Sequence, residues 1–139
     1  MIYAREFRPE DLKDIQPVES GLRSQYNPDL QQYNTAVTGI KDGRVIGCGG
    51  VYNIGNGIGE TWLVLDVEAE KCPIAVGMWL KEGMKIISSN FRRLQCVVRA
   101  DLTPAIKTVE FVGFDLEGKM KSYFEDTDGL MYGKLICQH

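Results

Sequence analysis

Residues 60–98, ETWLVLDVEAEKCPIAVGMWLKEGMKIISSNFRRLQCVV, decide the fold. Glu60 to Leu65 is rich in the aromatic and branched side chains that suit a pleated surface, and reads as a strand. An acidic loop follows from Asp66 to Cys72. Pro73 then marks a helix start, because its fixed φ suits a first helical turn and its missing N–H costs nothing there. Val76, Leu80, Met84 and Ile87 recur three or four positions apart, laying one apolar stripe along a helix that runs to about Ser88. Leu94 to Val98 is a short apolar run of the kind a buried strand uses. Strand, crossover helix and strand in that order imply a parallel pair.

On the N-terminal side, Asp42-Gly43 separates the apolar runs Thr35 to Lys41 and Arg44 to Tyr52. That dipeptide predicts a hairpin, since both turn positions need positive φ. Gly49 and Gly50 predict a bulge or a close backbone approach. Asn53 to Gly59 reads as a loop between two hairpin strands. A dinucleotide-binding fingerprint would instead lead into a helix. Ile2 to Phe7 predicts a first strand. Arg8 to Leu12 opens a helix around Pro9, Pro17 ends or kinks it, and Gly21 to Tyr33 is a second, polar helical segment. On the C-terminal side, Asp101 to Pro104 starts a helix, with Thr103 as its cap, that ends at Gly113. Strands follow near Phe114 to Phe124 and Leu130 to Ile136, joined at Asp126 to Gly129. The order β-α-α-β-β-β-α-β-α-β-β predicts an α/β protein, a mixed central sheet with helices on both faces, in one domain over residues 1–139.

Composition narrows the function. Hydrophobic residues make up 44% of the 139 and charged residues 25%, which is globular usage. The formal charge of −3 argues against binding a phosphate backbone as the main task. No apolar run approaches the ~18 residues of a membrane helix. The charged N-terminus resembles no signal peptide, which predicts the cytosol, with four cysteines packed as small hydrophobes. Those cysteines form no CxxC pair and the single histidine is His139, so neither a zinc site nor a Ser-His or Cys-His nucleophile is predicted. Trp62 and Trp79 read as core. Cys72, beside a predicted helix start but among acids, reads as a packed thiol more readily than a reactive one.

The element order along the whole chain resembles the GCN5-related N-acetyltransferase (GNAT) superfamily. Arg5 and Asp11 keep the spacing of that family's opening Arg and Asp, Asp42 to Gly47 resembles its second hairpin, and Ala105 with Gly113-Phe114 matches its final helix. The resemblance implies an acetyl-CoA-dependent acyltransferase acting on a small-molecule or protein amine. Two parallel strands that splay apart, Glu60 to Val67 and Leu94 to Ala100, would hold the pantetheine arm through Leu63, Leu65 and Val67. The family's pyrophosphate motif, Gln or Arg, two residues, Gly, one residue, then Gly or Ala, falls on Cys72, Ala75 and Gly77. Lys71, Cys72, Ala75 and Gly77 would then receive the phosphates, favoured by backbone N–H groups at a helix start. Only Gly77 matches plainly. Asp66, Glu68 and Glu70 face one Lys71, which predicts repulsion of a pyrophosphate.

The family's general base corresponds to Glu60, read otherwise as a strand-end carboxylate facing solvent. Its general acid, a Tyr four residues before the Gly of Gly-Phe, falls on Val109. Tyr123 or Tyr132 would substitute only if the fold brings it close. A kept fold with an altered cofactor loop is also similar to a group of short-tailed phage virion proteins that share it. That resemblance implies the alternative of a non-catalytic, protein-interaction or virion-associated module. Both alternatives leave homo-oligomer formation open.

Overall fold

The computed structural model describes residues 1–16 and 36–136. The polar segment Gly21 to Tyr33 and the residues Cys137 and His139 lie outside them. Strands β1 (Tyr3–Glu6), β2 (Ala36–Lys41), β3 (Arg44–Gly55), β4 (Ile58–Leu65), β5 (Arg93–Arg99), β6 (Asp115–Met120) and β7 (Gly129–Leu135) form one seven-stranded sheet in the order β1-β2-β3-β4-β5-β7-β6. Helices α1 (Pro73–Ile87) and α2 (Thr103–Phe111) connect β4 to β5 and β5 to β6. A 3-10 helix at Pro9–Asp14 follows β1.

Every adjacent pair is antiparallel except β4 and β5, which are parallel as the crossover requires. The Asp42-Gly43 hairpin forms with φ of 52° and 76°. Gly43 supplies that left-handed turn without steric cost.

Two expectations about boundaries are corrected. Asn53 to Gly59 is mostly strand: β3 runs to Gly55 and β4 begins at Ile58. The turn is Asn56-Gly57, at φ of 58° and 73°. Thr103 is not the cap of α2; Leu102 holds that position and no side chain caps it. The bulge in the β2–β3 pairing lies between Gly39 and Ile40. Of the two alternatives for Gly49 and Gly50, Gly49 shows the close approach, since a Cβ there would sit 3.3 Å from both Leu63 Cδ1 and the Trp62 carbonyl oxygen.

Side chains alternate across β4. Leu63 and Leu65 pack with Val76 and Trp79 of α1, whereas Trp62 and Val64 pack on the other face with Tyr52, Cys48 and Ile15. A third cluster joins Leu94, Cys96 and Val98 of β5 to Ala105 of α2, Phe114 and Tyr132. Both α-helices therefore cover one face, and the 3-10 helix at Pro9–Asp14 lies on the other. Both tryptophans are core, at 3% and 6% exposure. Arg5 and Asp11 meet as a two-pronged ion pair of 2.9 and 3.1 Å. Asp11 also accepts from the Arg8 amide and from the Thr38 hydroxyl.

Candidate functional site: a fork between β4 and β5

The parallel ladder is short. Pairing joins Ile58, Glu60 and the Gly59 between them to Arg93, Gln95 and Leu94, and no further rung forms. A 3.4 Å bond from the Thr61 hydroxyl to the Gln95 carbonyl closes the root. Beyond it, Trp62 to Leu65 and Cys96 to Arg99 diverge without ladder partners for one another. Unpaired strand edges are strong donors and acceptors for an extended ligand. A cavity of about 150 Å³ opens at this fork. Its walls are Thr61 to Leu63 of β4 and Cys96 to Arg99 of β5, and its roof is Trp79, Gly83 and Met84 of α1 with Ala105, Thr108 and Val109 of α2. A largely apolar cavity of that size suits a group about as large as benzene. The Trp79 Nε1 donor is fully buried and has no partner among the described residues.

Glu60 stands at the last rung, opposite Tyr52 on β3 and Gln95 on β5. It is half-buried. By alternation its side chain shares the face of Trp62, across the sheet from α1 and α2. Leu63 lines the cavity, whereas Leu65 is enclosed at 1% exposure against Ala69 and Val76.

The acidic loop is a 3-10 helix, Val67–Lys71, capped by Asp66. Asp66 is fully buried and accepts from the Gln16 amide (2.8 Å), the Glu68 amide (3.0 Å) and the Arg44 guanidinium (2.8 Å). It is a neutralised strut, which corrects its place among charges repelling a ligand. The Val67 amide donates to the Gln16 carbonyl, and Lys71 pairs with Glu68 at 3.2 Å. Cys72 is the N-cap residue of α1 and its amide donates to the Ala69 carbonyl. Ala75 is half-buried in the first turn of α1. Gly77 is buried under Phe111 of α2, and a Cβ on it would lie 2.6 Å from the ring.

Val109 does line the cavity, at the position where the resemblance expects a tyrosine. Tyr132 is enclosed at 1% exposure, and its phenol donates to Glu110 at 2.9 Å. Burial and that carboxylate push its pKa up to about 12. Tyr123 lies between β6 and β7 with 55% of its surface exposed. Its ring meets Phe124 edge-on, and Phe124 borders the cavity. Burial raises the thiols of Cys48 and Cys96 to about 11, so both stay protonated near neutral pH. Sequence reasoning missed the Phe111–Gly77 contact and the Asp66 strut. The only local signal for either was a glycine on the buried side of α1 and an acid just before a helix.

No family model and no curated protein matches the chain. Solved structures do. A GCN5-related N-acetyltransferase from Kribbella flavida superposes with a TM-score of 0.74 at 15% identity, covering 97% of this chain and 98% of that one. The ribosomal-protein-alanine N-acetyltransferase of Escherichia coli gives 0.74 at 14%, covering 100% and 96%. An acetyltransferase of the GNAT family from Streptococcus pneumoniae gives 0.70 at 18%, covering 99% and 100%. The fold of this chain is thus the GNAT fold, as its element order anticipates. At these identities the likeness is one of architecture.

Proposed function

We propose that the chain is a divergent N-acyltransferase that moves an acyl group from a pantetheine thioester to an amine by direct attack. The β4–β5 fork carries this reading. It is a gap between the two parallel strands with a largely apolar cavity on the α1–α2 side and Glu60 at its root, on the other face by alternation. In this reading a thioester in the cavity presents its carbonyl at the gap, and an amine reaches it from the Glu60 face. Glu60 takes a proton from the amine, directly or through a water. The amine nitrogen bonds to the carbonyl carbon, the C–S bond breaks and the thiolate leaves. A thiol of pKa ~8.5 leaves tolerably without a proton donor, which suits a cavity wall with Val109 where a tyrosine would stand.

Acetyl-CoA is the reference donor, a small-molecule or protein amine the acceptor, and the cytosol the place. The test is steady-state kinetics on an amine panel with wild type and Glu60→Gln. Transfer with the wild type, falling ~100-fold or more in kcat with loss of the acidic limb of the pH profile, supports the reading. Unchanged rates in Glu60→Gln would remove the base. The second reading, a non-catalytic interaction module of the same fold, virion-associated if phage-encoded, is favoured by Val109 and by the internally bonded loop before α1.

A further inference from the structure

The structure assigns the donor's recognition to its acyl-pantetheine arm alone, with no contribution from a nucleotide diphosphate; this rests on the N-acyltransferase reading above. In this fold the diphosphate of CoA would be met by backbone N–H groups leading into α1. Here all but two of those groups are spent internally. The amides of Val67, Glu68, Ala69, Cys72 and Val76 donate to Gln16, Asp66, Asp66, Ala69 and Cys72 respectively. Glu70 and Lys71 lie within the 3-10 helix, and Pro73 has no N–H. Ile74 and Ala75 alone remain in the first turn of α1, and Ile74 presents an apolar side chain there that is 78% exposed.

The side chains agree with the backbone. Lys71 is bound to Glu68, and the next cation along the chain, Lys81, sits 4.2 Å above the Phe111 ring. Across the fork, Arg99 is shared between Asp101 at 3.0 Å and Asp126 at 2.8 Å. The glycine that matches the phosphate motif, Gly77, makes room for Phe111 and not for a ligand. The residues therefore suit the arm and not the diphosphate. An acyl-pantetheine thioester is the substrate class, whether free or carried on a protein.

The test compares kcat/KM of the wild type for acetyl-CoA, acetyl-pantetheine and an acetyl-loaded acyl carrier protein with one amine. Calorimetry of CoA, pantetheine and ADP, which carries the 5′-diphosphate, runs alongside. Values for CoA and pantetheine within about five-fold, and no heat from ADP at millimolar concentration, are expected. A carrier-protein rate above that for free pantetheine would name a protein-borne source, and one below it a free thioester; either supports the inference. Two or three charge-assisted bonds to a diphosphate would give CoA an advantage of ~100-fold or more. That advantage, or tight ADP binding, would overturn the inference and leave the N-acyltransferase reading standing. No binding and no transfer with any donor would bring down both.

Discussion

Asp66 sets the end of β4 and the start of the loop, so its removal tests how the fork is held. The carboxylate is fully buried and takes three bonds, from the Gln16 amide, the Glu68 amide and Arg44. The cap on Glu68 is worth about 1 kcal/mol. The bond from Gln16 to a buried charge adds about 1.5–2 kcal/mol. Arg44 is 47% exposed, so solvent screens its pair with Asp66 and it contributes less than about 1 kcal/mol. Asp66→Ala should therefore cost about 3 kcal/mol, Asp66→Asn about 1–2 because one acceptor survives, and Arg44→Ala under about 1. Urea unfolding read by tryptophan fluorescence gives all three from the midpoints, provided the slopes stay equal. Arg44→Ala as costly as Asp66→Ala would mean that the ion pair, not the backbone cap, holds this corner. An Asp66→Ala cost below about 0.5 kcal/mol would refute the strut altogether.

Two further outcomes follow from the packing. Burial pushes the Asp11 carboxyl up, but bonds from Arg5, Thr38 and the Arg8 amide outweigh it and hold the group below its ordinary 3.8. The stability it contributes is thus present above pH 3.8 and is lost as pH falls through the lower folded-state value. Asp11→Asn should be less stable than wild type at pH 6, with the gap closing below that window; a gap constant from pH 6 to 2.5 would exclude the pairing. Gly83 lies inside α1, where a Cβ would meet only Val37 Cγ2, at 3.9 Å. Gly83→Ala should raise stability by about 1 kcal/mol through helix propensity, read as an upward shift in Tm; a fall would mean that the space beside Val37 is not open.

What the sequence made legible is what local chemistry decides. The 60–98 crossover, the Asp42-Gly43 turn and the Arg5–Asp11 spacing each carry their cause within a few dozen residues. The site was only half legible. Asp66 counted as one of three loop acids because its partners Arg44 and Gln16 lie 22 and 50 positions away. Gly77 matched a phosphate motif, yet what lies against it is the Phe111 ring from another helix. Asn53 to Gly59, with three glycines, suggested a loop, but glycine also serves where strands approach closely: Gly59 packs beneath Leu94 and Phe91. Val109, the position that the resemblance gives to a tyrosine, lines the cavity because a helix fixes spacing, whereas the surroundings of Tyr132 depend on β7 passing Glu110 of α2.

The central claim is that the fork cavity receives a thioester. It is tested most directly by calorimetric titration of acetyl-pantetheine and acetyl-CoA into the wild type and into Gly83→Leu, whose added side chain projects from α1 into the cavity toward Val37. Saturable binding near the micromolar range, about −8 kcal/mol, that is lost in a folded Gly83→Leu is the predicted result. Absence of heat with either ligand, or binding that the leucine leaves untouched, would contradict it.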